Sequence, residues 1–188
     1  MIQLLQKLLM MRQFTFGQGM TKILGERVVL GPVEIIAPCT SLAIEKPEYA
    51  AKLYEGVRTS FNDGWADAVG KMYGFKPQDY FKFLIDMSKL GGWGEGTLVE
   101  FNSETSEGKF INNNSAMGSY FKGKSTRPVD HIWRGLAAGG LSKAFKKDID
   151  WFETKCIATG AERCEFVFKP REKFIQEKSE EIISQIPI

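Results

Sequence analysis

The sequence predicts an α+β fold, an antiparallel sheet packed against long helices in a single domain. Three observations carry the prediction. Long segments repeat apolar residues at the helical period, and short runs rich in aromatic and β-branched residues come in hairpin-like pairs. The strand–helix–strand rhythm that builds a parallel sheet is absent. At 188 residues the chain is long enough for one proper core, and no repeat, low-complexity tract or linker divides it.

Taken in order, Ile2 to Met11 has helix-compatible spacing. It is too short, and too interrupted by Gln and Lys, to span a bilayer or act as a signal core. Arg27–Leu30 and Val33–Ala37, separated by Gly31-Pro32, read as two strands or an extended pair. Pro47 suits the first position of a helix. From there Tyr49, Leu53, Tyr54, Val57, Phe61, Trp65, Ala68 and Met72 fall on one face of a long amphipathic helix, stopped by Gly74. Pro77 opens a second helix that ends at Gly91-Gly92. Thr97–Phe101 and Lys109–Ile111 read as neighbouring strands joined by a polar loop. A helix is expected from His131 to Phe145. Its Gly135, Gly139 and Gly140 each cost roughly 1 kcal/mol relative to Ala, so another backbone or a ligand must come close. Pro170 then begins a charged helix over Arg171–Ile186.

Between the last two helices lies a hairpin, Ile149–Cys156 and Cys164–Phe168, turning at Thr159-Gly160-Ala161. Cys156 and Cys164 face each other across it, so their sulfurs can converge on a metal or form a disulfide. Three cysteines, an odd number, do not make a secreted disulfide framework. A cytoplasmic, reducing setting favours thiolates. Cys39, remote in sequence, reads as structural. The net charge of +2 argues against a dedicated nucleic-acid binder. No nucleophile elbow, P-loop or dinucleotide fingerprint is present, and a lone histidine limits acid–base chemistry, so no catalytic residues are assigned.

The ordered pieces Leu90-Gly91-Gly92-Trp93-Gly94, Asn114-Ser115, Pro128-Val129 and Glu153-xx-Cys156-x7-Cys164-x-Phe166-x-Phe168 resemble the 4-vinyl-reductase, or hydrocarbon-binding, domain family. The likeness runs from about Tyr54 to Pro170. That family includes the sensor domains of activators responsive to phenols and related aromatics, and is similar in fold to the TRAPP tethering subunits. The resemblance implies an N-terminal helix and extended segment over residues 1–46, a ligand-binding domain over 47–170 and a C-terminal helix over 171–188. It also implies a homodimer, an apolar pocket between helices and sheet, and a zinc ion. Carried onto this sequence, the zinc ligands are Asp130, Glu153, Cys156 and Cys164, with Asp130 standing where the family usually has cysteine.

An Asp oxygen can replace a thiolate on zinc, and His131 is a neighbouring candidate. The competing reading of Asp130 is a helix N-cap. Glu153 and Cys156, three apart, point to opposite faces of a regular strand, so joint ligation requires a bulge. Phe61, Trp65, Phe81, Trp93, Tyr120 and Trp133 are the candidate ligand-binding residues, against the plain alternative that they are core. Lys122, Lys124 and Arg127 form either a solvated loop or a cationic mouth. The function expected is non-enzymatic binding or sensing of a hydrophobic or aromatic small molecule, with output to an effector partner in trans. The alternatives are an enzyme or accessory in tetrapyrrole or vinyl reduction, and a scaffold or tethering subunit.

Overall fold

The computed structural model describes residue 6 and residues 8–188. Most of the helix expected from Ile2 to Met11 lies outside the described residues; residues 8–10 are helical. The first sheet is an antiparallel meander of β1 (Phe14–Gly17), β2 (Met20–Ile23) and β3 (Glu26–Val28). Its two-residue turns place Gln18-Gly19 and Leu24-Gly25 at positive φ, the geometry of tight hairpins in which glycine is the favoured second residue.

Two sequence expectations are corrected here. The strand expected from Val33 to Ala37 is instead a short 3-10 turn, Val33–Ile35, leading into helix α1 (Ala37–Glu45). Burial decides the matter: Ala37, Thr40 and Ala43 recur at three-residue spacing on one buried side, and Pro38 is tolerated in the first turn. The long helix is really two, α2 (Pro47–Asp63) and α3 (Trp65–Tyr73), broken at Gly64. The apolar period continues across the break, which is why periodicity alone joins them.

Helix α4 (Pro77–Leu90) leads through the Gly92 and Gly94 turns, both at positive φ, into β4 (Glu95–Asn102) and β5 (Glu107–Asn113). After the short helix α5 (Ala116–Tyr120) comes α6 (His131–Phe145), then β6 (Ile149–Lys155) and β7 (Cys164–Pro170). The second sheet has the order β4-β5-β7-β6, antiparallel throughout. The C-terminal helix is likewise divided, into α7 (Arg171–Glu177) and α8 (Glu180–Ile183). Ser179 accepts a hydrogen bond from the Ile182 N–H and so starts a new helix where a continuous one was expected.

The glycines of α6 meet the expected need. A Cβ on Gly135 would come within 2.7 Å of the Tyr54 carbonyl oxygen, and one on Gly139 within 2.4 Å of the Arg58 carbonyl oxygen. Helices α2 and α6 therefore pack backbone to backbone. The interior between the second sheet and helices α4 and α6 is filled by rings: Trp133 contacts Phe166, Phe110 and Trp151 with centroids 4.9–5.3 Å apart, and Trp151 stacks on Phe168 at 5.0 Å.

Strand β6 is an edge strand, yet its outward backbone groups are engaged by side chains. Ser142 Oγ accepts from the Ile149 N–H and donates to the Ile149 carbonyl (3.0 and 3.2 Å). Tyr54 Oη accepts from Trp151 N–H at 3.1 Å, and Arg134 Nη1 donates to the Trp151 carbonyl at 2.7 Å. The Gln185 amide brackets Glu153, accepting from its N–H at 3.0 Å and donating to its carbonyl at 3.1 Å. An unpaired edge invites aggregation, and here it is closed residue by residue.

Candidate metal centre and aromatic interior

Asp130, Glu153, Cys156 and Cys164 come together. One donor atom from each lies within 4.8 Å of all the others, and all four residues are buried. The local chain explains how. The ladder between β6 and β7 shifts register between Glu153 and Lys155. Thr154 and Lys155 are thereby turned to solvent, while Glu153 and Cys156 both face inward. This is the irregularity that joint ligation demands. After Cys156 the chain makes a 3-10 turn, Ile157–Thr159, and Gly160 at φ 101° reverses it toward Cys164.

Asp130 occupies the N-cap position of α6, but its carboxylate makes no capping hydrogen bond. Ser115 Oγ, itself the N-cap of α5, donates to Asp130 Oδ1 at 2.6 Å. The Asp130 N–H donates to Glu153 Oε2 at 3.2 Å. His131 turns elsewhere, with Nδ1 3.0 Å from Arg134 Nη2, and burial followed by the nearby guanidinium lowers its pKa to about 3.

The donors fit a tetrahedral cation. Asp130 Oδ2 and Glu153 Oε1 are buried without a hydrogen-bond partner among the described residues, a costly state for a carboxylate. The Cys156 and Cys164 sulfurs are 4.0 Å apart and free. That is far beyond a disulfide bond of about 2.05 Å, and close to the roughly 3.8 Å between two thiolates at tetrahedral zinc with Zn–S near 2.3 Å. Electrostatics point the same way. Burial, then the neighbouring Asp130 and Cys156, push Glu153 well above the usual carboxylate range; burial likewise raises Asp130. A hydrogen bond from Cys164 lowers Cys156 to about 7, and the same bond together with burial raises Cys164. Four crowded acids hold their protons, and a divalent cation relieves that crowding.

Sequence reasoning misses Arg134, the contact of Ser115 to Asp130 and the role of Gln185. Arg134 is fully buried, lies 4.8 Å over the Tyr54 ring, and is the cation whose field acts on Glu153 and Asp130. A charged residue inside an otherwise Gly/Ala-rich helix is the available signal. Nearby, Asp150 is buried and accepts from Tyr54 Oη at 2.7 Å and from Arg171 Nε at 2.6 Å.

Of the six aromatic candidates, Phe61, Phe81 and Trp133 are buried, whereas Trp65, Trp93 and Tyr120 are half-buried. An open cleft of about 810 Å³ is lined by other residues, including Arg58, Asn62, Phe75, Ser142 and Lys146. Trp133 Nε1 donates to Ser88 Oγ at 3.0 Å. Trp151 Nε1, by contrast, is buried in the ring cluster with no partner among the described residues. Lys122, Lys124 and Arg127 are exposed, with Lys124 over the Tyr120 ring at 4.8 Å. Cys39, expected to be structural, is exposed.

Fold and donor cluster together define an α+β domain of the 4-vinyl-reductase type, and residues 120–170 match the model of that domain family. The structure is similar to that of the phenol-responsive sensory domain of the transcription activator PoxR, solved with phenol. The TM-score is 0.73 at 17% identity, over 93% of this chain and 90% of that one. It is also similar to a vinyl-4-reductase family protein from Methanocaldococcus jannaschii, with TM-score 0.51 at 17% identity over 76% of this chain and 83% of that one. No curated protein matches the sequence. No helix among the described residues is long and apolar enough to cross a membrane.

Proposed function

We propose that this chain is a non-enzymatic sensing domain that binds a hydrophobic or aromatic small molecule in its ring-lined interior, pinned by a structural zinc-type site. The observation that carries the reading is the Trp151 indole N–H, buried among aromatic rings with nothing to donate to among the described residues. A buried donor without a partner costs about 1–3 kcal/mol, and the oxygen of a hydroxylated aromatic guest would satisfy it. The extent of the fold likeness to a domain described as phenol-responsive supports the same class of guest.

A guest enters by displacing rings of the Phe81, Trp133 and Trp151 cluster, so occupancy and internal order are linked. Burying about 150 Å² of aromatic surface at about 25 cal/mol per Å² contributes roughly 4 kcal/mol before ordering costs. The Asp130, Glu153, Cys156 and Cys164 side chains would hold the cation, which supplies a rigid junction between hairpin and helix α6 with no open position. Many of the large exposed apolar side chains, Met10, Phe16, Val29, Leu30 and Ile35 among them, fall before residue 46, which supports self-association through that region. Two free buried thiols suit the reducing cytoplasm. Output passes to a partner in trans.

Thermal melts with phenol, substituted phenols and toluene test the guest. The expected result is a concentration-dependent rise in Tm, with Trp151→Phe weakening hydroxylated guests about fivefold, the worth of one net hydrogen bond, and leaving toluene unaffected. Melts unmoved by every aromatic class would refute the reading.

A further inference from the structure

The C-terminal strap, residues 179–188, is fastened at the strand that carries one candidate metal ligand. Its Ile182, Gln185 and Ile186 are buried, while Glu180, Glu181 and Ile183 face solvent. Gln185 is 2% exposed, and its side-chain amide holds both backbone groups of Glu153 at 3.0 and 3.1 Å. The N–H and C=O of Glu153 thus point away from β7, and the register shift interrupts the ladder immediately after it. The sheet alone leaves Glu153 weakly fixed at the point where its carboxylate must be aimed. Gln185 supplies the missing restraint, much as the rest of the edge is held by Ser142, Tyr54 and Arg134, except that those three sit on core helices and Gln185 sits on a terminal segment. Arg134, the cation facing the cluster, also reaches the Gln185 carbonyl at 3.5 Å.

We infer that Gln185 is a positioning residue for the candidate metal centre, and that through it metal occupancy and attachment of the C-terminal strap are reciprocally coupled. The inference rests on the metal reading of Asp130, Glu153, Cys156 and Cys164. The ligand-backing groups of metal sites set affinity because a misaimed donor loses much of its bond, typically 10–100-fold when such a group is removed. Reciprocity is a thermodynamic necessity: if the strap tightens metal binding, metal tightens the strap by the same factor.

Two measurements on the full chain test it. Zinc affinity is read by chelator competition for wild type, Gln185→Leu and Gln185→Glu, with Ile186→Ala as a control that loosens the strap without touching Glu153. Amide hydrogen exchange at Glu153 and residues 182–186 of wild type, with and without zinc, needs no variant to fold. The expected results are a roughly 10–100-fold loss of zinc affinity in Gln185→Leu and a smaller loss in Gln185→Glu, which keeps one acceptor. A decrease in strap exchange on adding zinc completes the expectation. Wild type that binds zinc while both Gln185 variants bind it equally well, or whose strap exchange ignores zinc, overturns the coupling alone. Wild type that takes up no zinc overturns the metal reading, and the coupling with it.

Discussion

Replacing Cys164 by Ala separates what the fold owes to a buried thiol from what it owes to a cation. Without metal, the substitution deletes a fully buried sulfur and takes the acceptor from the Ile157 N–H, which donates to it at 3.3 Å. Each loss costs about 1 kcal/mol. Removing one of four crowded acids offsets part of it, so in chelator the variant should lie within about 2 kcal/mol of wild type. With metal the comparison changes. A ligand at 100 times its Kd stabilises the folded state by about 2.7 kcal/mol, and a domain of this size moves roughly 2–4 °C per kcal/mol. Wild type should therefore melt about 5–10 °C higher in zinc than in chelator, and Cys164→Ala should lose most of that increment. Calorimetry of both proteins, with elemental analysis of the same samples, makes the comparison. A wild-type melt indifferent to chelator, or a variant that keeps a full equivalent of metal, would refute ligation by this sulfur.

The lone histidine gives a pH test. His131 has its pKa lowered to about 3 by burial and the adjacent Arg134, whereas the unfolded chain titrates near 6.5. A depressed folded-state value means stability present above about pH 6.5 and lost as pH falls toward about 3. Between pH 7 and 5 that loss is about 2 kcal/mol, and urea titrations in chelator should find it in wild type and not in His131→Gln; parallel pH profiles would sink it. Tyr54→Phe removes the donor to Asp150 and the acceptor for the Trp151 N–H. A cost of about 2–4 kcal/mol is expected by chemical denaturation, and a cost under about 1 kcal/mol would show that the hydroxyl is not needed there.

Much of the second sheet is legible in the sequence because its signals are local. The Gly/Ala run of α6, the paired Thr97–Phe101 and Lys109–Ile111 segments and the Cys-bearing hairpin all lie inside the elements the structure forms. Motif spacing names the four candidate donors together, and the bulge that lets Glu153 and Cys156 share a side follows as a requirement of strand alternation. What escapes depends on tertiary contact. β-branched content suggests a strand at Val33–Ala37, but burial of Ala37, Thr40 and Ala43 makes a helix there. The β1–β2 hairpin hides in a short polar stretch whose signals are Gln18-Gly19 and Leu24-Gly25. Arg134 and Gln185 act through partners 17 to 51 residues away, a reach that spacing rules do not have.

The side-chain closure of β6 also fixes the direction in which the second sheet can be extended. With Ile149, Trp151 and Glu153 already bonded on their outer side, a strand from another molecule cannot join there without first evicting Ser142, Tyr54, Arg134 or Gln185. Continuation is therefore confined to the opposite rim at Glu95–Asn102, where the irregularity between Leu98 and Glu100 bends the template. Fibre-like stacking of this domain thus faces one blocked border and one crooked one.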